Sequence, residues 1–208
     1  MRRPLAAAAA GLVLVAGAAA GAATVLSSAA APPRHAPGAS APTGTTPAPG
    51  DSNPPGDIPD TQVFVPWSAP GGGFTVKVPE GWARTTQGSA TVFTDKFNSV
   101  RVEGIHASTA PTTNSVRAKD IPAIRATSTH FTLVKVADVQ RKGGRAVLAE
   151  YRADSAPNQV TGKRIPLDVQ RYVFYQSGKG EAVLTLSGAV GADNVDPWRT
   201  VTDSFRWH

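Results

Sequence analysis

The residues that could carry chemistry are few and far apart. Histidine, the usual proton carrier near neutral pH and a frequent metal ligand, occurs as His35, His106, His130 and His208. None has a second histidine three or four residues away, or an acid at ligand spacing, so no local HxxxH or HExxH site forms. The chain has no cysteine. That excludes a thiol nucleophile, a disulfide framework, a Cys-held metal and a lipid-modified cysteine. No Gly-x-Ser-x-Gly elbow is present. Gly178-Lys179-Gly180 lacks the flanking glycine and hydroxyl residue of a phosphate loop, and Gly71-Gly72-Gly73 precedes a strand pattern rather than a helix. Both read as turns. Asp and Glu residues could do acid/base work, but spacing alone identifies no pair. The sequence therefore assigns no catalytic, metal or cofactor-binding residue, and the expectation is a non-enzyme with no cofactor.

Four tryptophans remain as candidates for recognition. Trp198 falls in register with Val201 and Phe205 and is expected in a core. Trp82 follows the Pro79-Glu80-Gly81 turn and is expected to close one end of a sheet. Trp67 and Trp207 lie near the two ends of the folded portion, where an exposed aromatic could mark a partner surface.

The elements that would position these residues are confined to one part of the chain. Of 208 residues, 1–60 contain no Trp, Tyr or Phe, so only the remainder can build a core. There, short runs alternate with period two: Phe74–Val78, Thr91–Phe93, Ser99–Glu103, Phe131–Val139, Arg145–Arg152, Leu167–Tyr175 and Glu181–Ser187. Arg141-Lys142-Gly143-Gly144 and Ser177-Gly178-Lys179-Gly180 read as hairpin turns. Val116, Ile121 and Ile124 predict a helix between Asn114 and Thr129, with Asp120 as N-cap and Pro122 in its first turn. A final helix is predicted with Asp196 as its cap and Pro197 at the first position. Hairpins with a few helices predict an α+β fold, a mostly antiparallel sheet with helices packed on it.

The N-terminus reads as an address. Met1-Arg2-Arg3-Pro4 is positive, Leu5–Leu26 is uncharged and Ala-rich, and Ser27–Ala31 are small. That order predicts a signal peptide or an N-terminal membrane anchor over residues 1–31, with residues 5–26 as the span if retained. Either outcome places the rest outside the cytoplasm, secreted or tethered to the plasma membrane. Residues 32–60 hold nine prolines among Ala, Gly, Thr and Ser, and are expected to be a disordered linker. Residues 61–208 are the expected globular domain. The net charge is +6, but the basic residues are scattered, which argues against nucleic acid and for a solvated positive surface.

Gly73-Phe74-Thr75-Val76-Lys77-Val78-Pro79-Glu80-Gly81-Trp82 resembles the opening of the PsbP-like fold, in which a strand ends in a Pro-x-Gly-Trp turn. His130–Val134, Gly143–Ala146 and Glu150-Tyr151 are similar to the central hairpin of its secreted actinobacterial members, and Trp198 with Asp203–Arg206 to their closing helix. The resemblance covers residues 62–208. It implies an αβα sandwich around an antiparallel sheet, and a role as an accessory binding module, as in photosystem II extrinsic subunits, a Ran-binding import factor and secreted lipoproteins. Many actinobacterial members carry a lipid-modified cysteine, which this chain lacks. No partner-binding residue can be matched, so none is carried over.

The expectation is thus an exported, non-catalytic accessory or binding module of the cell envelope. Its partner would be another extracytoplasmic or membrane protein. A small ligand or an anionic polymer is the alternative, and an enzyme of unknown type comes third.

Overall fold

The structure, a computed structural model, describes residues 56–71 and 73–208. The expected signal or anchor at 1–31 and most of the expected linker lie outside the described residues.

Seven strands form one antiparallel sheet: β3 (Ala83–Gln87), β4 (Ala90–Asp95), β5 (Asn98–Ile105), β6 (Thr132–Arg141), β7 (Gly144–Asp154), β8 (Pro166–Gln176) and β9 (Gly180–Ala189). Their order is β3-β4-β5-β9-β8-β7-β6, so each hairpin pairs neighbours and only the β5–β9 joint is non-local. A second, three-stranded sheet holds β1 (Phe64–Ser68), β2 (Phe74–Pro79) and β10 (Arg206–Trp207), with β2 in the middle. The chain is α+β and mostly antiparallel.

Alternation explains what each face of the large sheet buries. Val100, Leu184, Leu186, Tyr172, Phe174 and Leu148 point to one face. Over it lie the small sheet and α3 (Val195–Ser204), which inserts Trp198, Val201 and the residue after it, Phe205. This layer holds most of the aromatic rings. Phe205 stacks on Phe174 at 4.2 Å between centroids, and meets Phe74 at 5.4 Å and Trp207 at 5.1 Å. The opposite face carries Val136, Val147, Ala149, Tyr151 and Val169, covered by a helical segment that contributes Val116, Ile121 and Ile124. The expected αβα layering is met in part, because β1, β2 and β10 share one outer layer with α3.

That helical segment departs from the expected helix. It begins with α1 (Thr113–Ser115), where Thr112 and Ser115 exchange side-chain and backbone hydrogen bonds in a capping box. A wider turn, Val116–Asp120, follows, in which the Ile121 N–H donates to the Val116 carbonyl. Only then comes α2 (Ile121–Thr127). Pro122 has no N–H to give and its ring displaces the turn before it, so the chain widens there. Asp120 is therefore inside the helix and makes no capping bond, and Thr112 holds the role expected of it.

The last helix also starts earlier than its sequence suggests. Asn194, not Asp196, occupies the cap position, and its side chain caps nothing. It accepts the Ile58 N–H at 2.8 Å and donates to the Gly56 carbonyl at 3.1 Å and to Asn98 Oδ1 at 3.0 Å. Asp196 and Pro197 lie within the first turn, one accepting the dipole and the other needing no N–H partner. These bonds also draw the incoming chain onto the body. Ile58 is buried in the core, although composition alone groups residues 56–60 with the linker.

Candidate functional site

The β6–β7 and β8–β9 turns and the segment leaving β5 meet at one end of the large sheet. The β6–β7 turn is pressed onto the end of α3. A side chain at Gly143 would overlap the Phe205 carbonyl and ring, so only glycine allows this approach. Between this turn, the Ala110-Pro111 segment and Trp207 lies a cleft of about 230 Å³, lined also by Val173, Tyr175 and Gly144. One edge of the Trp207 ring packs on Phe74 and Phe205, while the residue as a whole stays half-buried and contributes to the cleft wall. The ionisable groups at the wall are engaged. Arg145 is ion-paired with Asp138 at 2.5 Å, and the Tyr175 hydroxyl donates to the Ser108 carbonyl at 3.1 Å.

The rim of this end is basic. Lys142 and Lys179 stand at the tips of the two turns, both exposed and without an ion pair among the described residues. Arg206 is exposed beside Trp207, and its guanidinium donates to backbone carbonyls of Asp203 and Phe205. Arg141 lies over the Tyr172 ring at 5.0 Å and donates to its hydroxyl at 2.6 Å. Of the acids here, Asp138 pairs with Arg145 and Glu181 is half-buried near Arg171, while Asp203 stands half-buried on the last turn of α3. At the opposite end, around the start of α3 and the β4–β5 and β7–β8 connections, charges of both signs mix: Asp57, Asp95, Asp154, Asp193 and Asp196 with Lys96, Lys163, Arg164 and Arg199, the last paired with Asp196 at 3.4 Å.

A second cleft, about 280 Å³, opens at that other end between β6–β8 and the start of α3. Val134 and Val195 form its apolar lips, and both are exposed. Its polar walls are paired, Glu150 with Lys135 at 3.1 Å and Arg152 with Asp168 at 2.7 Å. Trp198 lines it, and the buried indole N–H of Trp198 has no hydrogen-bond partner.

The face of the sheet away from the aromatic layer holds a buried polar network. Arg101 and Glu103, two residues apart on β5 and so on the same face, pair at 3.1 Å with side chains about 7% and 6% exposed. Gln87 and Ser89 complete them, Gln87 accepting from Arg101 at 3.1 Å and Ser89 donating to Glu103 at 2.6 Å. Next to them Arg171 reaches Thr185 at 3.4 Å and Asp120 at 3.7 Å. Burial, and then the Asp120 carboxylate, hold the Glu181 carboxyl above its ordinary range, with Arg171 opposing. Burial likewise pushes the Tyr151 hydroxyl up, against the pull of Arg171 and Arg101. Sequence reading missed this network, because alternation sends Arg101 and Glu103 to solvent. The signal lay in β9: Ala182–Ser187 is apolar or small throughout, as in a strand buried on both faces.

The other candidate residues disperse. His106 leaves β5, and His208 donates its backbone N–H to Gly73. His130 does find an acid, Asp154, at 2.6 Å across 24 residues of sequence, at an exposed corner with φ of 52°. Trp82 is half-buried and donates to Gln62 Oε1 at 3.1 Å. Trp67 packs edge-on against Phe93 at 5.7 Å. His35 lies outside the described residues. Among the described residues no cluster of His, Asp and Glu could hold a metal ion, and no helix is long and apolar enough to cross a membrane.

No family model and no curated protein match the chain. Solved structures similar to it include PsbP from the cyanobacterium Synechocystis sp. PCC 6803, at 16% identity over 74% of this chain and 98% of that one, with a TM-score of 0.48. The Ran-binding protein Mog1p of Saccharomyces cerevisiae is similar at 10% identity over 70% and 96%, with a TM-score of 0.46. LpqN of Mycobacterium tuberculosis, involved in cell envelope biogenesis, is similar at 13% identity over 71% and 92%, with a TM-score of 0.38. These structures include the group whose fold the Gly73–Trp82 segment resembles.

Proposed function

We propose that the chain is an exported, non-catalytic binding module of the cell envelope whose folded body engages another extracytoplasmic protein. The N-terminal order of charge, apolar stretch and small residues supports export. The observation that carries the binding reading is the turn-end cleft. At about 230 Å³ it is smaller than the roughly 300–1,000 Å³ of small-molecule sites, it is walled by Trp207, Tyr175 and Val173, and its ionisable groups are already engaged. A cleft of that kind suits one apolar side chain presented by a protein surface. It offers a reacting molecule no free acid or base.

The test is site-directed photo-crosslinking of the full chain in its own cell envelope, with the crosslinker at position 142 or, as control, at position 96. A discrete protein adduct from position 142 and none from position 96 is the expected result. Equal adducts from both positions, or none of protein, would overturn the proposal. A small-ligand reading is favoured by one observation only, the unpartnered Trp198 indole N–H beside the second cleft.

A further inference from the structure

We infer that the turn end of the sheet is a docking face for an acidic protein segment that seats one apolar side chain against Trp207. The inference rests on the reading of the chain as a protein-binding module and specifies the partner's chemistry. Two independent features converge there.

The first is charge. Lys142 and Lys179 project from adjacent turns beside the cleft, exposed and without ion pairs among the described residues, and Arg206 adds a third exposed cation next to Trp207. The acids of this end offset them only in part: Asp138 is held by Arg145, Glu181 is recessed towards Arg171, and Asp203 on the last turn of α3 is left against three cations. A rim of free cations around an apolar floor favours a segment whose carboxylates ring one apolar residue.

The second is rigidity, because the two turns are fixed in place. Gly143 abuts Phe205 and Gly180 abuts the Ile105 carbonyl, so neither turn can shift without disturbing the core.

Binding is measured by fluorescence anisotropy with the full chain in nanodiscs of neutral lipid, free of detergent. The probes are labelled peptides of alternating Asp and Gly around one central Phe, the same peptide with Ala at the centre, and vesicles containing phosphatidylglycerol. The Phe peptide is expected to bind best and to weaken with added salt, since exposed charges are screened within about 8–10 Å at physiological ionic strength. Replacing Phe by Ala should cost about tenfold or more, as expected for one buried aromatic side chain. The double variant Lys142→Glu/Lys179→Glu should lose about tenfold, while Lys96→Glu/Lys163→Glu at the other end should not. Equal loss in both variants, no discrimination between Phe and Ala, or preference for the vesicles would overturn the inference. If position 142 still crosslinks to a protein partner while that partner ignores the charge reversal, the acidic-segment inference fails and the binding-module reading stands.

Discussion

The two faces of the seven-stranded sheet are built from the same alternating strands but solve burial differently. One face closes with rings: Tyr172, Phe174, Phe205, Phe74 and Trp207 interlock under α3 and the small sheet. The other closes partly with Val116, Ile121 and Val147 and partly with ions, Arg101, Glu103 and Arg171. A buried ring stabilises through the area it removes from water, and its neighbours tolerate substitution if volume is kept. A buried ion pair offsets its own desolvation only while every member is present. The aromatic face is thus the stabilising one, and the polar face is tolerated because it is complete.

The sharpest way to break that contrast is on the aromatic side. Phe205→Ala should cost about 3–5 kcal/mol in urea unfolding, because the ring is fully buried and touches three others. A cost below about 1 kcal/mol would mean the rings are not the centre of the fold. On the polar face, Glu103→Ala should cost about 3 kcal/mol by stranding Arg101, whereas Arg101→Met with Glu103→Leu should recover most of it. If the double change is as damaging as the single one, the network does more than satisfy itself. Trp82 tests the boundary between the two regimes. It is half-buried with its N–H bonded to Gln62, so Trp82→Ala should cost about 2 kcal/mol, less than a core ring, read from the melting temperature.

The smallest effect is one of pH. The Glu181 carboxyl titrates higher in the folded chain than in the unfolded one, so the folded chain holds its proton more tightly. This group therefore does not oppose folding below the unfolded carboxylate range, near pH 4, and opposes it increasingly as pH rises through the raised folded value. Glu181→Gln should melt above the parent at pH 7.5 and together with it near pH 3.5. A constant gap at both would remove the carboxylate from the account.

Much of the fold was legible because the aromatic layer obeys local rules. Strand alternation, the two glycine-bearing turns and the Trp198–Val201–Phe205 stripe each place a residue where it is found. What escaped depended on partners distant in sequence. Asn194 spends its side chain on Gly56 and Asn98 instead of its own helix, and Pro122 widens a turn five residues deep. Arg101 and Glu103 look like surface charges until β9 is known to be a central strand. The turn-end cleft needed three separate segments, Ala110-Pro111, Gly144 and Trp207, to be brought together. Trp207 was the one part of it marked beforehand, as a candidate partner surface.

The contact between Gly143 and Phe205 also sets an order of events. Phe205 closes a ring cluster in which Phe74 and Phe174 precede it by many residues, and β10 then adds Trp207 and pairs with β2. Long-range closures of this kind come late and slowly in folding. A chain emerging N-terminus first therefore cannot bury its central aromatic layer until the segment through Trp207 is free. Until then it keeps an open groove between β2 and the large sheet, a window in which a chaperone could hold it or a protease could remove it.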